Sequence, residues 1–365
     1  MVDIQKVKRG LRRKCTIPLI VPSDYLSTGS TTLNLACSGS PDWGFVKGYY
    51  VNLVGDSKSG KTFLSLTCLA EAAANKNFKE HRFIYDNAEL GALMDIERFF
   101  GSRVADRMEP PARDKDGPVF SSTIQDFYYH VDDANKFGRP YIYILDSMDA
   151  LDSDEDAKKF DQRKRARRGK EITEDEKKSS GSYGTSKAKL NSTTLRRLIT
   201  PLNLSGSILI IISQTRDSFK FGYGQKTRAG GYSLLFYATL EIWCSIKHQI
   251  IRTIKGKKRQ LGVNCSVRVS KNRIKGYDRT IQLPIYHSFG IDDLGGCVQY
   301  LVDEKHWRKT KEGIILAGEF SLKARQEKII KHIEENDMEK DLRYLVAEVW
   351  DGIEEACKLD RKSRY

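Results

Sequence analysis

The sequence predicts an α/β protein: a doubly wound P-loop core with an antiparallel strand extension and a helical C-terminal region. Three observations predict it. An apolar run at 49–54, YYVNLV, is followed by GDSKSGKT at 55–62 and by FLSLTCLA at 63–70, which has helix-forming composition. That order is strand, glycine-rich loop, helix. YIYIL at 141–145 and SILIII at 207–212 are almost continuously apolar, as parallel strands buried on both faces are. Between 49 and 215, strand-like and helix-like segments alternate.

The elements follow in order. Residues 1–30 read as a basic arm, MVDIQKVKRGLRRKC, and an extended docking segment in which Pro18 and Pro22 restrict the backbone. Such a segment docks on another surface, a neighbouring copy among them, or stays a loosely packed leader. Residues 31–290 form the core. Its strands are expected at 49–54, 82–85, 141–145 and 207–212, and its helices at 61–75, 90–100, 121–136 and 188–204. From 238 to 288 strand-like stretches follow one another directly, at 238–246, 261–269 and 280–286. KGKKR at 255–259 fits a hairpin turn between the first two. Residues 291–365 read as a mainly helical C-terminal region, helical from 320 onward. There Leu342, Leu345, Val346, Val349, Trp350 and Ile353 share one helical face, the pattern of core packing. Two stretches carry neither period, about 152–187 and 215–231. Both follow carboxyl ends of core strands, the edge where an α/β sheet binds its ligand.

Composition narrows the class. The 365 residues carry a formal net charge of +14, which suits a polyanionic partner such as nucleic acid, or a solvated basic surface. Seven cysteines, an odd number with no C-x-x-C, indicate neither a disulfide framework nor a zinc site. No apolar run reaches eighteen residues, so no membrane span is expected. The basic start lacks the apolar stretch of a secretory signal, which leaves the cytoplasm as the expected compartment.

The chemistry centres on Gly55, Asp56, Ser57, Lys58, Ser59, Gly60, Lys61 and Thr62. In G-x-x-x-x-G-K-[ST] the loop amides wrap the α- and β-phosphates of a nucleoside triphosphate, and the following helix adds its positive end. Lys61 would reach the β/γ-phosphates and the Thr62 hydroxyl would hold Mg²⁺. Asp146 ends an apolar strand and is placed for the Mg²⁺ shell. Hydrolysis needs a group to orient or deprotonate water. Glu89, in FIYDNAE, is the candidate, with Asp86 second. Gln214 closes the next strand; its amide would sense the γ-phosphate or satisfy loop backbone.

In order, GDSKSGKT, FIYDNAE, YIYILDS, IISQT, AGGYSLLFYATLEI and VRVSKNRIKG resemble the RecA-type recombinases, most nearly the UvsX-like and other phage-encoded members. The resemblance covers about residues 26–305. AGGYSLLFYA with VSKNRIKG carries more of it than the loop motif, which many ATPases share. It implies a RecA-like core that binds ATP and Mg²⁺, with Lys61 and Thr62 on phosphate and metal, Asp146 as the Walker-B acid and Glu89 as the catalytic carboxylate. It implies that Gln214 couples the γ-phosphate to DNA binding. Lys271 and Arg273 would reach the ATP of a neighbouring subunit in a helical filament. There are departures: FIYDNAE has one more residue between strand and carboxylate than the common pattern, and Ile96 stands where an aromatic often stacks on adenine. The tail KLDRKSRY is basic, whereas bacterial tails are typically acidic.

The resemblance puts the two DNA-binding loops on the two aperiodic stretches. The first holds the basic block Arg163, Lys164, Arg165, Arg167 and Arg168, a phosphate clamp or an unstructured arm. In the second, Arg216, Lys220, Lys226 and Arg228 interleave with Phe219, Phe221 and Tyr223. Cations there neutralise phosphates and aromatics stack on bases. Gly230 and Gly231 allow close backbone approach. The expected activity is a DNA-dependent ATPase that pairs single-stranded with double-stranded DNA for recombination and repair. Single-strand-binding and mediator proteins are the further partners. A ring helicase or motor of the same fold, or an ATP-binding annealing accessory protein, are the alternatives.

Overall fold

The computed structural model describes residues 20–91, 93–153, 164, 185–217, 226–228 and 231–362. A short antiparallel pair, β1 (Tyr25–Leu26) with β2 (Phe45–Val46), brackets helix α1 (Thr31–Ser38). Ser30 caps α1 by accepting the Leu33 amide. β3 (Tyr50–Gly55) leads into α2 (Lys61–Ala74), and β4 (Arg82–Asp86) follows. The sequence pattern predicts one helix over 90–100. The structure instead has α3 (Ile96–Phe100) and α4 (Ser102–Arg107). Leu90 has φ of 52°, and Asp95 caps α3 through the Arg98 amide, so no helix extends back to 90.

Strand β5 (Met108–Glu109) and a hairpin of β6 (Ala112–Asp114) and β7 (Gly117–Val119) precede α5 (Ile124–Lys136). Thr123 and Asp126 form a capping box at its start. Then come β8 (Tyr141–Leu145), α6 (Thr185–Ser205), β9 (Ile208–Asp217), β10 (Lys226–Arg228) and α7 (Tyr232–Tyr237). The expected end of β9 at 212 is corrected to Asp217. Thr215, Arg216 and Asp217 pair with Arg228, Thr227 and Lys226, so both ends of the second aperiodic stretch are strand.

β11 (Leu240–Ile254) and β12 (Lys257–Asn272) form a hairpin much longer than the apolar runs 238–246 and 261–269 indicate. Its outer half is largely exposed and mixes isoleucines with cations, and strand pairing continues it. β13 (Arg279–Tyr286) and β14 (Gly290–Ile291) complete the main sheet. After α8 (Asp293–Asp303) comes a small sheet of β15 (Arg308–Lys309), β16 (Ile315–Ala317) and β17 (Leu322–Ala324), then α9 (Gln326–Glu335) and α10 (Glu339–Ala356). Helix from 320 is thus corrected: residues 322–324 are strand, paired with a β16 that buries Ile315 and Ala317 at period two.

The main sheet has ten strands, in the order β14-β13-β12-β11-β3-β9-β8-β4-β5, with β10 on β9. The run from β11 to β5 is parallel, and β11 to β14 pair antiparallel. Period-two alternation sorts the central strands onto two cores. Val51, Leu53, Ile142, Ile144, Ile208, Ile210 and Ile212 face the core shared with α1, α2 and the C-terminal helices. Tyr50, Tyr141, Tyr143, Leu145, Leu209 and Ile211 face the other, with Phe127 of α5 and Leu195, Leu198 and Leu202 of α6. Both faces are covered, which is why these strands read as unbroken apolar runs. No helix among the described residues is long and apolar enough to cross a membrane.

The C-terminal region locks onto the start of the core. Asp293 accepts from the Thr31 amide at 2.6 Å and hydroxyl at 2.7 Å. Arg343 donates to the Thr31 hydroxyl at 2.9 Å, to the Pro41 carbonyl at 3.0 Å and to Asp42 at 2.7 Å. Leu342, Val346 and Trp350 are the buried face of α10, and the Trp350 ring lies 5.8 Å from that of Tyr300 in α8. Trp350→Ala should therefore lower unfolding free energy by about 3–5 kcal/mol, read from a shifted urea midpoint. A shift within error would mean that α10 is not docked as described.

Candidate functional site

The phosphate-type loop forms where β3 ends. Gly55 lies between Cys244 of β11 and Gln214 of β9 in register. A Cβ on Gly55 would come within 2.1 Å of the Cys244 carbonyl oxygen, so only glycine fits. Gly60 has φ of 82°, and a Cβ there would meet Ile285 at 2.4 Å. Between them lie Asp56, Ser57, Lys58 and Ser59, and Gly60 is the N-cap of α2. The loop thus runs directly into the N-terminus of this fourteen-residue helix.

Lys61 is buried and donates to the carbonyls of Gly55 at 2.8 Å and Asp56 at 2.6 Å. Burial pushes its pKa below the ordinary lysine value. Thr62 donates its hydroxyl to Asp146 Oδ2 at 2.7 Å, and Tyr85 donates to the same oxygen at 3.0 Å. Burial pushes the Asp146 carboxyl above its usual range, and these two hydrogen bonds oppose the shift. One hydroxyl and one carboxylate side by side suit Mg²⁺, which keeps most of its waters and takes one or two protein oxygens.

The two carboxylates of FIYDNAE have different surroundings. Asp86 is fully buried, and it accepts from the Ser121 amide at 2.9 Å, the Ser121 hydroxyl and the Tyr143 hydroxyl at 2.7 Å. Glu89 is exposed. Its Oε1 accepts from the Ser147 hydroxyl and, at 2.8 Å, from the Gln214 side-chain amide. The Gln214 backbone amide donates to Asp149 at 2.5 Å, and the Thr215 hydroxyl donates to Asp56. So the ends of β4, β8 and β9 are cross-tied around the loop. Motif reading missed Tyr85, Ser147, Asp149 and Thr215. Tyr85, Ser147 and Thr215 each adjoin a candidate residue in sequence and Asp149 lies three beyond Asp146, but only the folded strand ends bring the pairs together.

A cleft of about 540 Å³ adjoins the loop, with Phe63, Met94, Val263, Ile285 and His287 among its walls. Met94 lines it, while Ile96 packs against the core.

Lys271 and Arg273 are not brought to this loop. Lys271 donates to the Leu235 and Phe236 carbonyls at 2.6 and 2.9 Å, and Arg273 to Phe236 at 2.9 Å, all at the C-terminal end of α7. Glu241, which pairs with Lys271, stands beside Asn52, three residues before Gly55, so the pair lies about 10 Å back along the sheet.

Of the DNA-loop residues, Arg163, Arg165, Arg167, Arg168, Phe219, Lys220, Phe221, Tyr223 and Gly230 lie outside the described residues. Lys164 is exposed. The backbones of Arg216, Lys226 and Arg228 belong to the β9–β10 pair, and Gly231 is the N-cap of α7 at φ 89°.

Sequence comparison agrees with this geometry. The model of the RecA N-terminal domain matches residues 170–292. Protein RecA of Prochlorococcus marinus (strain NATL1A) is 26% identical over 286 residues, 77% of this chain and 64% of that protein. Protein RecA of Parasynechococcus marenigrum (strain WH8102) is 28% identical over 290 residues, covering 77% and 64%. Protein RecA of Trichodesmium erythraeum (strain IMS101) is 26% identical over 318 residues, covering 86% and 76%. Over most of its length the chain is thus similar to RecA proteins. It spans 64% of the length of the first of these relatives.

The two carboxylates should respond differently to substitution. Asp86→Ala orphans the Ser121 and Tyr143 donors and should destabilise by about 1–3 kcal/mol for each group left unpaired. Glu89→Gln, exposed, should leave the urea midpoint within about 0.5 kcal/mol of wild type. Equal effects in the two variants would contradict the described environments.

Proposed function

We propose that the chain is an ATP-dependent DNA recombinase that assembles as a helical filament on single-stranded DNA and pairs it with homologous duplex. One observation carries this reading: the Gln214 amide bonds the exposed carboxylate Glu89, while its backbone continues into the β9–β10 strands flanking the aromatic, basic stretch 218–225. A change at the γ-phosphate is then felt by the segment meant for DNA. The RecA names of its relatives agree with this.

In this reading the amides of residues 55–62 hold the α- and β-phosphates. Lys61 exchanges the Gly55 and Asp56 carbonyls for β/γ-phosphate oxygens. Thr62 and Asp146 would hold Mg²⁺, which when bound would neutralise charge on the phosphates. Glu89 orients the attacking water and takes its proton as the bond to the leaving ADP oxygen breaks. Departure of the γ-phosphate releases Gln214 to Glu89 alone and loosens the hold on DNA. Lys271 and Arg273 act in trans, on the nucleotide of an adjoining subunit. Arg216, Phe219, Lys220, Phe221, Tyr223, Lys226, Arg228, Gly230 and Gly231 form one DNA contact, and Arg163, Lys164, Arg165, Arg167 and Arg168 another. The setting is the cytoplasm, on DNA, alongside single-strand-binding and mediator proteins.

ATP turnover measured with and without single-stranded DNA tests this. Wild type should be stimulated by DNA. Lys61→Ala should lose turnover, Glu89→Gln should bind ATP but hydrolyse it at least about tenfold more slowly, and Gln214→Ala should keep slow turnover without stimulation. Turnover indifferent to DNA in the wild type would overturn the reading. Mixing Lys271→Ala/Arg273→Ala with Glu89→Gln should restore activity at interfaces that pair intact groups. No restoration would return the two cations to a role within one chain.

A further inference from the structure

Besides the Gln214 side chain, a second contact joins the loop at 55–62 to the strand that leads to 218–225, and the mechanism above leaves it unused. The Thr215 hydroxyl donates to the Asp56 carboxylate. Asp56 follows Gly55 in the loop, and its carbonyl accepts from Lys61 at 2.6 Å and from the Ser59 hydroxyl at 2.7 Å. On the other side, Thr215 pairs with Arg228 of β10. One side-chain hydrogen bond thus reaches from the loop to the β9–β10 pair, which includes the backbones of Arg216, Lys226 and Arg228.

Three carboxylates hold Gln214 and Thr215, and a nucleotide would act on them differently. Asp149 accepts from the Gln214 backbone amide at 2.5 Å, and next to it the Met148 amide donates to the Ile212 carbonyl at 2.9 Å. Both come from the turn after β8, outside the loop. Glu89, after β4, holds the Gln214 side chain at 2.8 Å. Asp56 alone of the three belongs to the loop itself. Lys61 is close enough to feel the Asp56 charge. A triphosphate in the loop draws Lys61 to its own oxygens and adds negative charge beside Asp56. Like charges at close range repel strongly in such partly buried surroundings. Asp56 and Thr215 are both half-buried, so the carboxylate has solvent to turn towards, and turning breaks its bond to Thr215.

We propose that Asp56 and Thr215 are positioning residues that latch the β9–β10 pair away from DNA until a triphosphate occupies the loop. This rests on the chain being an ATP-dependent DNA binder, and it adds a restraint that Gln214 does not supply. Gln214 meets the γ-phosphate and carries its presence along β9. The Asp56–Thr215 bond acts earlier and in the opposite sense. It holds the strand end in one place, and the arriving phosphates repel the carboxylate that does the holding. Nucleotide must then come before DNA, because the latch opens only by charge that the nucleotide brings.

The test measures binding of the full chain to a labelled single strand, with and without a non-hydrolysable ATP analogue and Mg²⁺. Beside it, amide hydrogen exchange is followed at 215–217 and 226–228 without DNA. Thr215→Val removes the hydroxyl at nearly constant shape, and Thr215→Ser keeps it. In wild type the analogue should tighten DNA binding and speed exchange at these amides. Without nucleotide, Thr215→Val should bind DNA about tenfold more tightly than wild type, the weight of one hydrogen bond to a charged group. With the analogue it should match wild type, and its exchange should be fast in both conditions. Asp56→Ala should reproduce the nucleotide-free gain, and the double variant Asp56→Ala/Thr215→Val should add nothing to it, as for two ends of one bond. Thr215→Ser should behave as wild type. A nucleotide-free affinity of Thr215→Val at or below that of wild type overturns the proposal, since a contact that only supports the fold gives that result. Additive gains in the double variant also overturn it. Exchange that responds to the analogue and to Thr215→Val, in a chain that binds no DNA, would sink the recombinase reading and leave the latch standing. DNA binding tightened equally by the analogue in wild type and Thr215→Val would do the reverse.

Discussion

Gly55 is the point on which the site depends. It is the last residue of β3, flanked in register by Cys244 on one side and Gln214 on the other. Because a side chain there would strike the Cys244 carbonyl, β11 closes directly over it. That contact sets where the chain turns into the loop, and so where Lys61 and Thr62 begin α2. It also sets which β9 residue stands beside the loop. A one-residue slip of β9 would turn the Gln214 side chain to the opposite face.

Charges around this point are few, buried and mutually dependent. Lys61 and Asp146 are both taken largely out of water, and burial alone would drive each towards its neutral form. The carbonyls of the loop, the Thr62 hydroxyl and the Tyr85 hydroxyl partly replace the lost hydration. Around them further polar groups are tied across strand ends: Thr215 to Asp56, Gln214 and Ser147 to Glu89. The tie is direct, so the carboxylate and the strand leaving towards 218 share a hydrogen bond rather than a long chain of packing contacts.

The parallel core was legible in the sequence because its strands are covered on both faces, and 141–145 and 207–212 advertise that by apolar runs. The loop was legible because phosphate chemistry fixes residue types at fixed spacing. What the sequence hid was set by pairing or tertiary contact. The apolar content around 90–100 resembles a helix, yet Leu90 adopts a positive φ and the helix waits for the Asp95 cap. The outer halves of β11 and β12 mix isoleucines with cations in no regular alternation, so their length comes from ladder hydrogen bonds that no periodicity announces. β16 and β17 are three residues each, too short for a pattern. Asp86 and Glu89 look equivalent in a string of letters. Ser121, 35 residues from Asp86, separates them by occupying one carboxylate and leaving the other exposed.

The clasp of Arg343 and Asp293 on Thr31 joins residues 312 and 262 positions apart. Contacts of such separation close late, since loop entropy must be overcome before they reward folding. While the chain is being synthesised, α1 therefore waits without its polar anchors through the making of the entire sheet. The loop at 55–62 and the strands around it are complete well before then. The half of the molecule that carries residues 55–62 can thus form first, with α1 and the C-terminal helices secured as the closing step of folding.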